Sequence, residues 1–168
     1  MRIVERLMVL PALLLCGCVT MPAPAYQPRM ETTSDLLAAP TVAMAVGEFS
    51  AAKSVNNTRI SLRGNGMTGG EEGTFTRYLQ RAIEAELRTA GLYDGASRTI
   101  LSGVLLETEV NAMGVDTGTA RLAVKFQVVR QGDTVYNREL ATDGSWVSHF
   151  MGVIAVQSAM QGYVATVQ

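Results

Sequence analysis

Residues 71–90 read EEGTFTRYLQRAIEAELRTA, and their spacing decides the fold. Phe75, Tyr78, Leu79, Ala82, Ile83, Leu87 and Ala90 recur at intervals of three and four. That period puts them in one apolar stripe on a helix. Glu71 and Glu72 fall in the expected first turn, where the helix dipole favours negative charge. Gly91 supplies a C-terminal stop, and Leu92 is placed to fold back on the last turn. Arg77, Arg81, Glu84 and Arg88 lie off the stripe and are expected on a solvated face. A helix with one apolar stripe needs a surface to cover, and the flanking segments must supply it.

Upstream, residues 41–49 (TVAMAVGEF) read as a first strand, residues 50–58 as a polar loop and residues 59–63 (RISLR) as a short extended segment. The glycine-rich residues 64–70 (GNGMTGG) are expected to be loop alone. Downstream, residues 98–110, 119–130 and 134–142 read as three strands. Gln131-Gly132-Asp133 is a hairpin signal. A three-residue loop there sets Val128 opposite Tyr136 and Val124 opposite Leu140, but it also brings Arg138 to that face, which leaves the register open. Val153, Val156, Met160, Val164 and Val167 mark a second amphipathic helix, which either frays at Gln168 or continues in a longer natural chain. The order β-(β)-α-β-β-β-α implies an α+β, two-layer sandwich. Its sheet is expected to be mostly antiparallel, with four to five strands and both helices on one face. The other face is then either solvated or an interaction surface.

Composition narrows the function classes. The 168 residues are 48% hydrophobic and 17% charged, with 14 Lys+Arg, 15 Asp+Glu and a net charge of −1. A disordered charged tail is poorer in apolar residues than this. There is no basic excess to displace the counterions of a nucleic acid, so none is expected as a partner. The length suits one domain with a real core.

The N-terminus reads as an export address. Arg2 and Arg6 lead into the apolar run at residues 7–15 (LMVLPALLL). Nine helical residues span roughly 13.5 Å, under half of a ~30 Å hydrocarbon core, so the run suits a signal segment better than a membrane span. Leu15-Cys16-Gly17-Cys18 follows and resembles the bacterial lipoprotein signal, the lipobox. The resemblance implies a signal peptide over residues 1–17, diacylglycerol on the Cys18 thiol, cleavage before Cys18 and acylation of the new amino group by a palmitate-type chain. Cleavage removes Arg2, Arg6 and Glu5, leaving 12 basic and 14 acidic residues, and makes Cys18 the one remaining thiol. No Asp follows Cys18, which by analogy with lipoprotein sorting favours the outer membrane. Residues 18–40 carry Pro22, Pro24, Pro28 and Pro40 and are expected to be a flexible tether. The single α+β domain is then residues 41–168.

Candidate chemistry is sparse. Gly64, Gly66 and Gly69 match the dinucleotide fingerprint, but Glu71 and Glu72 would face the phosphates with like charge, so a plain loop is expected. His149, the one histidine, has Ser148 beside it and Asp143 nearby, yet no Gly-x-Ser-x-Gly elbow accompanies them. Glu107 and Glu109 form a same-face strand pair, too few ligands for a metal. Asn56-Asn57-Thr58 matches a glycosylation triplet and indicates a loop. Trp146, the one tryptophan, is expected in the core, with a partner-binding role as the alternative. Trp146 and Phe150 together mark a candidate partner surface. No catalytic, cofactor or metal residue is assigned.

Residues 59–64 (RISLRG), 75–94 with 99–105, and 145–156 (SWVSHFMGVIAV) resemble small, uncharacterised proteobacterial envelope lipoproteins of the YajG-like kind. The layout is also similar to domains of the curli-secretion lipoprotein and of lipoprotein activators of peptidoglycan synthases. The resemblance implies a non-enzymatic lipoprotein anchored in the outer membrane and facing the periplasm. It is expected to act as an accessory or assembly factor that binds another envelope protein. The alternative is a carrier or chaperone for an apolar ligand such as a lipid. A deep apolar cavity favours the carrier, and an unpaired sheet edge favours the protein partner.

Overall fold

The structure is a computed structural model that describes residues 19–38 and 42–168. The signal segment, Cys18 and residues 39–41 lie outside that range, together with the start of the expected first strand. Within it the order is β1 (Thr20–Pro22), α1 (Met30–Ala38), β2 (Ala45–Ala51), β3 (Ile60–Leu62), β4 (Asn65–Thr68), α2 (Phe75–Thr89), β5 (Thr99–Asn111), β6 (Thr117–Arg130), β7 (Asp133–Val147) and α3 (Gly152–Val167). The α+β two-layer reading holds. A four-stranded sheet runs β2-β5-β6-β7, parallel at β2–β5 and antiparallel at the other two pairings. A smaller sheet runs β1-β4-β3.

The α2 stripe packs as spaced. Phe75, Tyr78, Leu79, Ala82 and Leu87 are buried against the sheet, each large side chain contributing about 1.5–3 kcal/mol of apolar burial. Helix α2 starts later than the acidic pair suggested. Thr74 is its N-cap, and the Thr74 hydroxyl accepts from the Arg77 N–H at 3.4 Å. Asn57 adds a second cap from outside, its Oδ1 accepting from the Thr76 N–H at 2.9 Å. Glu72 pairs with Arg81 at 2.8 Å instead. Gly91 closes the helix at φ +70°, and the Leu92 N–H returns to the Leu87 carbonyl at 2.7 Å.

The second helix buries a wider face than its valine spacing marks. Val156 is buried and Met160, Val164 and Val167 pack against the core as spaced, Val153 is exposed, and Ala155, Ala159, Tyr163 and Thr166 are buried beside them. Small residues win because the Trp146 ring lies against Gly162, where a Cβ would collide with it. Helices α2 and α3 meet over the large sheet through the Phe75 and Tyr163 rings, edge to face at 5.5 Å. The Tyr163 hydroxyl reaches Thr108 Oγ1 on β5 at 3.1 Å.

The hairpin shows how a register can survive a different turn. Gln131 (φ +52°) and Gly132 (φ +98°) form a two-residue loop, not the three expected. The strands slip by one residue between Val128 and Val129, where Val135 bulges on β7. The bulge restores Val128 opposite Tyr136 and Val124 opposite Leu140. Arg138 does fall opposite Phe126, but β7 is an edge strand, so its guanidinium reaches outward to within 6.0 Å of the Tyr136 ring centroid.

Two further expectations are corrected. Residues 65–68 form β4 rather than loop, because they pair on both sides, with β1 and with β3. Their glycine content hid the strand. Residues 19–38, expected to hang free, are folded onto the domain. Strand β1 lies parallel to β4, Ala23 is buried, and the Pro24 carbonyl accepts from the Tyr78 hydroxyl at 2.9 Å.

Candidate functional site

The site is a cavity at the end of the large sheet where β5 begins and β6 ends. Its volume is about 650 Å³. Leu79, Ala82, Ile83 and Leu87 of α2 form one wall, and Leu101, Val128 and Tyr136 of the sheet form another. Leu36 of α1 and Val42 and Met44 near the start of β2 contribute along the N-terminal side, with Val167 at the end of α3. The apolar positions follow from the two periodicities that build the core. The stripe of α2 faces inward over the same strands that alternate inward and outward. The core residues simply do not fill the space where the sheet ends.

Thr32, Thr99, Arg130 and Gln168 add polar groups to the lining, and Glu86 is its one carboxylate. Glu86 lies on the buried face of α2 and is only 7% exposed. Its Oε1 accepts from the Tyr26 hydroxyl at 2.6 Å and from the Arg29 N–H at 3.1 Å. Its Oε2 is buried without a hydrogen-bond partner among the described residues. Burial, reinforced by the Glu86 hydrogen bond and charge, raises the Tyr26 phenol far above its ordinary value of 10.0. Tyr26 is therefore a neutral donor throughout the physiological range. A buried acceptor left open costs free energy unless something supplies a donor.

The residues singled out from sequence fall elsewhere. Gly64 turns from β3 to β4, and Gly66 lies in β4 against the Arg59 guanidinium. The glycine fingerprint is thus a hairpin and not a strand-to-helix phosphate cradle. Asp143 binds Arg121 on the outer face of the sheet, where Glu107 holds the same guanidinium. Ser148 is buried and lies within 3.4 Å of Arg63, while His149 is exposed. No hydrogen bond joins these three residues. Trp146 belongs to β7 and is wedged between Gly118 and Gly162. Its Nε1 is buried without a partner among the described residues, whereas Phe150 is 85% exposed. The expected Trp146–Phe150 pair is therefore split between core and surface. Among the described residues no three His, Cys, Asp or Glu side chains cluster as a metal site, and no helix is long and apolar enough to cross a membrane.

Sequence reasoning missed Tyr26 and Glu86. The signal for Glu86 was present. It stands four residues after Ala82 and three after Ile83, on the apolar stripe. Nothing local marks Tyr26, which finds Glu86 across 60 positions of chain.

No family model and no curated relative matches the chain. Solved structures do. A Xanthomonas campestris protein of family DUF330 superposes with a TM-score of 0.54 at 15% identity, covering 90% of this chain and 87% of its own. Lipoprotein GNA1162 of Neisseria meningitidis gives 0.33 at 11% identity, covering 61% and 83%. The rare lipoprotein B of Shewanella oneidensis gives 0.36 at 11%, covering 70% and 79%. At 15% identity the likeness to the Xanthomonas protein shows a shared fold alone, and the Neisseria and Shewanella neighbours are lipoproteins by name.

Proposed function

We propose that the chain is a non-enzymatic lipoprotein, anchored in the outer membrane through acylated Cys18, whose periplasmic domain carries an apolar ligand such as a lipid. The cavity carries this reading. A volume of about 650 Å³ lies within the ~300–1,000 Å³ of sites that hold small molecules. Its lining is apolar apart from a few groups, among them the Arg130 guanidinium and Glu86, whose Oε2 is buried without a hydrogen-bond partner among the described residues. A ligand with an apolar chain and a head that donates a hydrogen bond, such as an amine or a hydroxyl, satisfies both features. The lipobox and the YajG-like resemblance supply the anchor and the compartment.

Native mass spectrometry of the acylated chain, extracted from envelopes, tests this. A non-covalently bound lipid is expected on the wild type and lost from Ala82→Trp, which fills the cavity. Glu86→Leu is expected to keep an apolar chain but to lose preference for amine- or hydroxyl-headed amphiphiles. Wild-type protein that carries no lipid, and takes up no fluorescent lipid analogue, sinks the carrier reading.

The reading as an accessory factor with a protein partner has its own support. Among the described residues strand β7 pairs with β6 alone, and none of them pairs with the other edge of this 15-residue strand. Arg138, Glu139 and Asp143 along that strand are charges of the kind that discourage unselective pairing. A photocrosslinker at Leu140 that captures one envelope protein reproducibly would favour this second reading.

A further inference from the structure

At the end of the sheet opposite the cavity, two loops form one apolar tip. Met113 and Val115 stand between β5 and β6, and Val147, Phe150, Met151 and Val153 stand at the junction of β7 and α3. All six are exposed, Phe150 by 85% and Met113 by 74%. Residues 112–115 and 147–154 contain no Asp, Glu, Lys or Arg. The loops are held together. The Ser148 N–H donates to the Asp116 carbonyl at 2.9 Å. Arg63, in the β3–β4 turn, donates through Nε to the Ala112 carbonyl at 2.6 Å and through Nη2 to the Gly114 carbonyl at 2.6 Å. Its Nη1 reaches the Phe150 carbonyl at 3.4 Å. A contiguous exposed apolar surface fixed in this way needs an occupant.

The N-terminal strand says which. Strand β4 leads away from the Arg63 turn, and β1 runs parallel to it. The chain therefore enters the domain at the tip end, where the Val19 carbonyl accepts from the Gly66 N–H at 2.9 Å. Cys18 is one peptide unit before Val19, ~3.8 Å between Cα atoms. Since residues 19–38 lie on the domain, there is no slack to carry the domain away from an anchor at Cys18.

We infer that this tip rests in the surface of the bilayer that holds the acyl chains of Cys18, with Phe150 and its apolar neighbours among the lipid head groups. The inference rests on the lipoprotein reading. It also orients the molecule. The cavity then opens at the far end, away from the anchoring membrane, as suits a carrier that meets its ligand or a second component in the periplasm.

The test uses the full acylated chain in vesicles of phosphatidylethanolamine and phosphatidylglycerol. With the Cys18 thiol consumed by lipid, a single cysteine placed by Val115→Cys, or by Asp133→Cys at the far turn, takes a fluorophore. Nitroxide-labelled lipids are expected to quench position 115 at least threefold more than position 133. Adding Phe150→Asp and Met151→Asp is expected to lower the quenching at 115 while the protein stays vesicle-bound. Mass spectrometry of the same sample separates the failures. An acylated chain with equal, weak quenching at 115 and 133 overturns the tip and leaves the anchor standing. A chain without acyl groups overturns both. Crosslinks from position 150 to an envelope protein, with no lipid quenching at 115, overturn the tip in favour of a protein contact.

Discussion

The hydroxyl of Tyr26 donates to Glu86 Oε1 at 2.6 Å, and this one bond ties the N-terminal segment to the buried face of α2. The Arg29 N–H binds the same oxygen at 3.1 Å. Together they fix the carboxyl group so that Oε2 has no partner among the described residues. Tyr26→Phe leaves Glu86 with a single donor in a buried setting. It should cost about 1–3 kcal/mol, and at roughly 2–4 °C per kcal/mol for a chain of this size the melting temperature falls accordingly. Urea unfolding of the two proteins measures it. A loss confined to the ligand affinity, with stability unchanged, would show that the bond serves the cavity and not the fold.

Alkaline stability follows from the same packing. Burial pushes the Tyr78 phenol up to about 12, and it raises Tyr26 and Tyr163 further still. An unfolded tyrosine loses its proton near 10. Above that pH the unfolded chain binds fewer protons than the folded one, so stability falls as pH rises. The contribution of Tyr78 is complete below pH 10 and is lost between pH 10 and about 12. Unfolding free energy measured at pH 8, 10 and 11 should therefore decline most in the last interval. Tyr78→Phe should flatten that decline, and an unaltered slope in the variant would remove Tyr78 from the account.

Trp146 provides both a probe and a packing test. Its ring lies between Gly118 of β6 and Gly162 of α3, and a Cβ on either glycine would overlap it. Gly162→Ala gains helix propensity by up to ~1 kcal/mol but must displace the ring. Overpacking of this kind costs about 1–3 kcal/mol, so the net change is destabilising. Gly162→Val should be worse. The Trp146 emission is expected to shift in both variants, and a Gly162→Ala protein more stable than wild type with unchanged emission would contradict the wedge.

The elements that were legible from sequence are those whose signal is local. The α2 stripe and the Gly91 stop with Leu92 folded back follow from residues within one element or just past its end, whereas the pairing of Val124 with Leu140, left open by the sequence, depends on a bulge at Val135 that no local signal marks. What stayed hidden depends on long-range pairing. Residues 65–68 look like a loop until β1 and β3 lie on either side of them. The proline-bearing N-terminal segment looks unattached until Ala23, Pro24 and Tyr26 are seen against α2 and β4. On α3 the valines and Met160 mark one side of the buried face, but its deepest positions are Ala155, Ala159 and Tyr163, which apolar size alone does not single out, and Gly162 makes room for Trp146. Glu86 was on the stripe by spacing, but its charge argued against burial until Tyr26 was placed beside it.

Arg63 gives the last test. It adopts φ +50° at the β3–β4 turn, a left-handed conformation uncommon for a side chain larger than glycine. Its guanidinium donates to the carbonyls of Ala112 and Gly114, and it lies 3.4 Å from both the Phe150 carbonyl and Ser148 Oγ. These bonds offset the backbone strain and join three loops at one end of the molecule. Arg63→Gly relieves the conformation but removes the donors, and Arg63→Lys keeps the charge but loses the planar fork. Both variants should therefore free the loops at 112–116 and 148–151 to exchange amide hydrogens faster, with global stability reduced by about 1–3 kcal/mol in Arg63→Lys. If the lysine variant protects those amides as well as arginine does, a single charge contact suffices there and the fork geometry is incidental.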